Sequence, residues 1–578
     1  MIRDAAADRW LRFQQPRRVI ETYHRDEVIP KLRLVENEVQ ERGRYAAGFI
    51  SYEAAPAFDS ALHVRPHSSF PLMWFGIYAQ PEVIDLPDPS PGPAHAALRW
   101  APSVSRAEYD RAISQIKAHI ARGETYQVNY TFRLRTLFTG DAWAFFMELV
   151  RAQQAGYAAF VDTGRFTLCS ASPELFFMLD GRLLTSRPMK GTAARGLTFA
   201  EDCAQAEWLQ RSEKNRAENV MIVDMVRNDM GRVAEIGSVH VPDLFSVERY
   251  PTLWQMTSTV TATTDATFSD IMEALFPCAS ITGAPKPRTM RIISELESTP
   301  RRVYTGCIGF LAPNRQAQFN VAIRTVLVDR MEGQAEYGVG GGIVWDSSDR
   351  DEYAECLVKA RVLTERWPEF SLLETMLWTP DGGYFLLPYH ERRLRDSAAY
   401  FGFPAETAQI ESRLMDLAGS LSPVRHKVRL LVAQDGEITC RATPLPEGRE
   451  PGPVRLGIAP SPVNPDDPFL YHKTTHRQVY AAMRAAMRAA CPDCDDVLLW
   501  NERGEITEST VANVVVELDG ELLTPPVRSG LLPGTFRAWL LDQGTVREEP
   551  VTLDTLRRAD GIYVVNSVRK WRLAVLEW

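Results

Sequence analysis

The organisation of this chain is decided by residues 352–389, where EYAECLVKARVLTERW (352–367) is followed by PEFSLLETMLWTPDGGYFLLPY (368–389). In the first part the apolar residues recur at helical spacing. In the second, two apolar runs flank Asp381-Gly382 and predict a pair of strands around a turn. RWPEFS (366–371) punctuates the two. A helix closing one unit and a hairpin opening another mark a domain boundary, and the chain divides into residues 1–366 and 367–578.

Outward from that boundary both halves mix helix and strand. PEVIDLPDPSPGPAHAALRWAPS (81–103) is Pro-rich and predicts a surface connection, after which Ser105-Arg-Ala-Glu108 has the capping-box pattern of a helix start. Beyond the boundary, KVRLLVAQDGEITCRATPL (427–445) and NVVVELDGELLTPP (513–526) predict hairpins with Asp-Gly turns, and HRQVYAAMRAAMRAA (476–490) predicts a helix. No repeat of fixed period is present, and the class is α+β for both halves.

At 578 residues the chain is too long for one hydrophobic core. Sixty-five Lys and Arg against 74 Asp and Glu leave a net charge of −9, which does not favour nucleic acid or an anionic membrane as partner. No apolar run approaches the roughly 18 residues that span a bilayer, so a soluble cytoplasmic protein is expected. The eight cysteines are mostly isolated and make no disulfide framework. Cys491-Pro-Asp-Cys494 is a CxxC without a second pair or nearby His, a weak basis for zinc or redox chemistry.

Several charged residues invite a chemical reading, although each taken singly has an ordinary one. Glu218 opens the helical SEKNRAENVMIVDMVRNDMGRV (212–233), where a carboxylate also suits the helix dipole. Glu352 and Glu355 share a helical face with Lys359, a pattern common on exposed helices. SITGAPK (280–286) and GVGGGIVW (338–345) combine small residues with turn-forming backbone, which can offer N–H groups to a carboxylate; neither has P-loop or GxGxxG spacing. Lys190, in RPMKGTAAR (187–195), stands between Arg187 and Arg195, and Lys473, in HKTTHRQVY (472–480), would pass alone for a surface lysine.

SPELFF, RPMKGT, RAENVMIVDMVRND, SITGAPK, FNVAIRT, GVGGGIVWDS and EYAECLVKA occur in one order. In this the chain, over roughly residues 45–365, resembles the chorismate-utilising enzymes, the family of the first components of anthranilate synthase and aminodeoxychorismate synthase. The resemblance implies a two-sheet α/β sandwich that binds chorismate and Mg2+. Glu218 and Glu355 would be direct metal ligands, with Glu352 acting through water. Glu174, in Ser-Pro-Glu, resembles the general acid for the leaving C4 hydroxyl, and burial or negative charge should raise its pKa. Arg324, Lys359 and the backbone around Thr282, Gly283, Gly340, Gly341 and Gly342 would contact the substrate.

Lys190 discriminates among members. Anthranilate synthases typically have alanine there, whereas in aminodeoxychorismate synthases the lysine attacks C2 and ammonia then enters at C4. Arg187 and Arg195 are expected to help keep Lys190 partly neutral. Gln127 stands where isochorismate and salicylate synthases carry a water-activating lysine. Gln255 replaces a histidine that anthranilate synthases link to pyruvate loss, which leaves contacts around the enolpyruvyl group open.

In the second half, Lys473 joins YHERRLRDSAAYFGF (389–403), DDVLLWNERGEITESTVANVVV (495–516) and GLLPGTFR (530–537) in the order of fold-type IV pyridoxal phosphate enzymes. That group, which the segment resembles, includes branched-chain and D-amino acid aminotransferases and aminodeoxychorismate lyase. The resemblance makes Lys473 the attachment point of pyridoxal 5'-phosphate, Glu508 the partner of its ring nitrogen, Arg393 and Thr535 phosphate ligands, and Thr375 a residue near the substrate. Together the halves imply a bifunctional enzyme making 4-aminobenzoate from chorismate and ammonia, a transaminase-class synthase followed by a lyase. An anthranilate-type synthase joined to an aminotransferase, or a synthase with a catalytically silent docking domain, are the alternatives. No Gly-x-Cys-x-Gly elbow is present, so a separate glutaminase subunit is expected. The second half suggests a homodimer by resemblance alone.

Overall fold

The computed structural model describes every residue except 67–68, 87–97, 154, 364–367, 447–451 and 578. The central part of the Pro-rich 81–103 connection and part of the RWPEFS punctuation therefore lie outside the described residues. Two compact units are present: Met1–Ala194 with Ala206–Trp367, and Arg195–Gln205 with Pro368–Trp578. Among the described residues, no helix is long and apolar enough to cross a membrane.

The first unit is built on two ten-stranded sheets. The central strands Tyr45–Ile50 and Met73–Tyr78 read as near-continuous apolar runs because both of their faces are buried. In Tyr45–Ile50, Ala46 and Ile50 face one apolar cluster while Ala47 and Phe49 face another. Met73–Tyr78 repeats this alternation, with Met73, Phe75 and Ile77 on one side and Trp74 and Tyr78 on the other. The cluster holding Phe49 and Trp74 also takes Ala159, Leu168 and Leu327 from strands of the other sheet, so the sheets pack face to face. Helices cover the outer faces: Val28–Gln40 and Phe268–Leu275 on one, Arg106–Ala121 and Ala142–Gln153 on the other. The box at Ser105 forms, with Glu108 N–H donating to the Ser105 hydroxyl and the Glu108 carboxylate accepting from Ser105 N–H.

In the second unit the three Asp-Gly hairpins form. Leu372–Thr379 pairs with Gly383–Tyr384, His426–Val432 with Ile438–Pro444, and Asn513–Leu518 with Glu521–Thr524. They belong to a four-stranded and an eight-stranded sheet, and the helix Gln478–Ala490 lies on the segment expected to be helical. Cys491 and Cys494 are disulfide-bonded.

Candidate active sites

Lys190 lies on the strand Met189–Ala194, which pairs with Leu253–Thr263 through Met189↔Thr257 and Thr192↔Gln255. Between those pairs the register shifts, leaving Lys190 and Gly191 as a bulge, the device by which a strand re-aims a side chain. Gly191 has φ +93°, which a side chain would strain. The bulge is held by side chains. Gln255 Nε2 donates to the Gly191 carbonyl at 2.8 Å, and Asn219 Nδ2 to the Lys190 carbonyl at 3.3 Å. Ser258 Oγ donates to Asn219 Oδ1 at 2.6 Å. Asn219 and Ser258 were missed in the sequence because nothing local ties either to Lys190.

Lys190 opens into a cavity of about 530 Å³ shared with Glu174, Glu218, Gln255, Arg324, Glu352, Glu355 and Lys359. Its floor corrects one expectation. GVGGGI is no loop: it lies in the strand Gln334–Ile343, paired from end to end with Gln127–Leu137. Its glycines make room rather than turns. A Cβ on Gly342 would sit 2.3 Å from Gln127 Nε2 and 3.1 Å from Lys190 Nζ. Gln127 does not line the cavity; its Nε2 is buried behind Gly342 and has no hydrogen-bond partner among the described residues. Ser280 and Ile281, rather than Thr282 and Gly283, line the cavity. The Thr282 hydroxyl donates to the Ala279 carbonyl at 3.1 Å, and Gly283 pairs with Val128.

Burial dominates the electrostatics. Glu174, 3% exposed, is pushed up to about 7 by desolvation, although Ser280 Oγ donates to it at 2.6 Å and Lys190 opposes the rise. Desolvation depresses the Lys190 amine; Glu218, Glu174 and Glu355 pull it back up, and Lys359 pushes it further down. The arginines named for that role act elsewhere, because each has its own carboxylate: Arg187 pairs with Glu248, and Arg195 with Asp202. Burial also raises Glu218 and Glu352, whereas Glu355, 2.8 Å from Lys359, is lowered chiefly by that amine. The three carboxylates offer the oxygen donors that a hard cation prefers. Among the described residues, however, no three acidic, His or Cys side chains converge to hold a metal by themselves. Arg324 lines the cavity, donates to Gln153 and lies over the Tyr250 ring.

In the second unit a cavity of about 420 Å³ is lined by Thr375, Arg393, Lys473, Glu508 and Thr535. Arg393 makes a two-pronged pair with Glu374, at 2.9 and 2.6 Å, and donates to the Pro533 carbonyl. Thr535 begins the helix Thr535–Asp542, and its hydroxyl lies 3.3 Å from His390 Nε2. Desolvation lowers the Lys473 amine to about 8 and lifts Glu508 to about 7. Tyr480 OH and Leu532 N–H both donate to Glu508 Oε1, at 2.8 and 3.2 Å. A buried carboxylate so held, facing a cavity with a desolvated lysine, suits a cationic ring nitrogen.

A stability prediction follows from Glu508. Its folded-state pKa lies above the ordinary 4.5, so the folded chain holds that proton more tightly. The resulting stability is present below about 4.5 and is lost as pH rises through about 7, a span worth roughly 3 kcal/mol at most. Glu508→Gln keeps the shape and an acceptor for Tyr480 and Leu532. It is expected to raise the melting midpoint of the cofactor-free chain by several degrees at pH 8 and hardly at all at pH 4.5. Equal gains at both pH values would refute desolvation of this carboxylate as the cause.

The family model of chorismate binding enzymes matches residues 1–365, and that of class IV aminotransferases matches 371–575. The chain belongs to the chorismate binding enzymes. It is 42% identical over 262 residues to aminodeoxychorismate synthase component 1 of Klebsiella aerogenes, an overlap of 45% of this chain and 58% of that protein. To the component 1 of Escherichia coli (strain K12) it is 40% identical over 269 residues, or 46% and 59% of the two chains. It thus spans less than two thirds of these relatives. Anthranilate synthase component I from Streptococcus pneumoniae TIGR4 superposes with a TM-score of 0.55 at 25% identity, covering 62% of this chain and 92% of that one.

Proposed function

We propose that this chain is a cytoplasmic enzyme making 4-aminobenzoate from chorismate in two reactions, one in each unit. The observation that carries the reading is Lys190, a desolvated amine on a bulge that opens into a glycine-floored cavity beside Glu174. In its neutral form Lys190 adds to C2 of chorismate, and Glu174 gives its proton to the departing C4 hydroxyl. Ammonia then bonds to C4 and the Lys190 amine leaves C2, so chorismate and ammonia yield 4-amino-4-deoxychorismate and water. Arg324 and Lys359, which line the cavity, supply positive charge for the carboxylates. Glu218 and Glu355 would hold Mg2+, with Glu352 through water, and the substrate's own carboxylate would complete the set.

In the second unit Lys473 would hold pyridoxal 5'-phosphate, with Glu508 at the ring nitrogen and Arg393 and Thr535 at the phosphate. The cofactor, when bound, withdraws electrons from the carbon bearing the substrate amine. Lys473 removes the C4 proton, pyruvate leaves from C3, and the ring becomes aromatic. Thr375 lines the same cavity, where the substrate would lie.

The deciding experiment incubates the protein with chorismate, Mg2+, pyridoxal 5'-phosphate and ammonium, and identifies the aromatic product. The para isomer is expected, and anthranilate would overturn the reading. The nitrogen donor gives a further prediction. Relatives named component 1 imply a second component, and no glutaminase elbow stands in this sequence. Turnover is expected with concentrated ammonium salt at mildly alkaline pH, and with glutamine only after a glutaminase subunit is added. Robust turnover on glutamine by the pure chain would refute the need for a partner.

A further inference from the structure

Residues Arg195–Gln205 precede the predicted domain boundary by far, yet they belong to the second compact unit. They are built in by polar contacts that would be costly to bury unsatisfied. Asp202 is 2% exposed and takes two bonds from Arg195, at 2.6 and 2.7 Å, with a third from Gly196 N–H at 3.0 Å. Arg195 also donates to the Tyr400 carbonyl at 2.8 Å, and its guanidinium lies 4.3 Å from the centre of the Tyr400 ring. Tyr400 in turn stacks on His472, with ring centres 4.2 Å apart.

His472 is the residue before Lys473, and both of its ring nitrogens are engaged. Nε2 faces the Leu197 carbonyl at 3.2 Å, and Nδ1 faces Ser397 Oγ at 3.0 Å. A carbonyl can only accept, so Nε2 carries the proton and the Ser397 hydroxyl donates to Nδ1. Burial keeps the ring neutral, at about 3. On the C-terminal side of Lys473, its own carbonyl accepts from Leu373 N–H at 2.9 Å. Arg393, Ser397 and Tyr400 lie at helical spacing on Leu387–Phe401, so the helix that brings Arg393 to the cavity also grips His472. Leu197 packs on the apolar cluster containing Tyr480, whose hydroxyl holds Glu508.

We infer that Arg195–Gln205, through the Asp202–Arg195 pair and the Leu197 carbonyl, is a positioning segment that holds His472 and thereby sets Lys473 in the cofactor cavity. The inference rests on the reading of this cavity as a pyridoxal phosphate site. The pyridoxal unit is then not contained in residues 367–578 but is completed by eleven residues that come early in the chain.

The test uses the full chain as parent, Asp202→Asn, His472→Ala and His472→Gln. Pyridoxal 5'-phosphate affinity is measured by equilibrium dialysis, and the long-wavelength absorbance of the loaded protein is titrated with pH. Asp202→Asn and His472→Ala should each bind about tenfold more weakly and shift the titration midpoint. Asp202→Asn should still form aminodeoxychorismate from chorismate and ammonia within about twofold of the parent rate. His472→Gln keeps an N–H for the Leu197 carbonyl and should recover affinity to within about threefold. If Asp202→Asn does not fold, the two His472 variants still decide. Parent-like affinity and titration in His472→Ala, or no recovery in His472→Gln, would overturn the assignment. A parent that binds no pyridoxal phosphate would overturn the reading of the cavity as well.

Discussion

Lys190→Ala is expected to form aminodeoxychorismate at roughly a hundredth of the parent rate or less, because the change deletes a nucleophile and not merely a contact. The expectation is specific to one site. Among the described residues, none lines both the Lys190 cavity and the Lys473 cavity, so pyridoxal phosphate affinity and spectrum should be unchanged. Folding should not suffer either, since burying a desolvated amine is a cost that the alanine variant no longer carries. The measurement is the initial rate with chorismate and ammonium, coupled to excess lyase so that only the first step limits. An undiminished rate would show that ammonia attacks directly and that no lysine adduct is needed. A slow variant producing the ortho isomer would instead make Lys190 the determinant of where nitrogen enters.

Lys473→Ala has the opposite signature. On the proposed order of reactions, the first needs nothing from the second cavity, so aminodeoxychorismate should accumulate at the parent rate while 4-aminobenzoate falls roughly a hundredfold or more. The accumulated compound should be converted when parent protein is added. Lys473 is the amine that burial lowers to about 8, which leaves about a tenth of it neutral at pH 7, far more than for an ordinary lysine, and able to take a proton from carbon. If the variant is still labelled by pyridoxal phosphate and borohydride and releases pyruvate at the normal rate, a different lysine does this work.

How legible these sites were depended on the distance over which each signal acts. The hairpins could be read because an Asp-Gly turn between apolar runs is a local instruction, and all three formed. The glycines of 338–342 suggest turn-forming backbone by residue type, since small residues look alike in a turn and in a strand that must leave room for neighbours. Only the approach of Gln127 and Lys190 to Gly342 shows which applies. Arg187 and Arg195 were assigned to Lys190 by proximity in sequence, but opposite charges brought in by folding, Glu248 and Asp202, claim them. Gln255 stood out as a departure, yet its contact with the Gly191 carbonyl depends on strand register, which residue identity alone does not specify.

By itself the sequence determined the mixed α and β class, the turn positions, the capping box at Ser105 and the family motifs, because these rest on residue type and short spacing. Tertiary structure alone decided which groups are desolvated, and so where the pKa values of Glu174, Lys190, Lys473 and Glu508 lie. It alone decided that a bulge held by Asn219, Ser258 and Gln255 aims Lys190 into its cavity, and that residues 195–205 pack beside His472. The physical reason is that desolvation and hydrogen bonding depend on what surrounds a group in space, and here those neighbours come from segments as far as 275 positions apart in the chain.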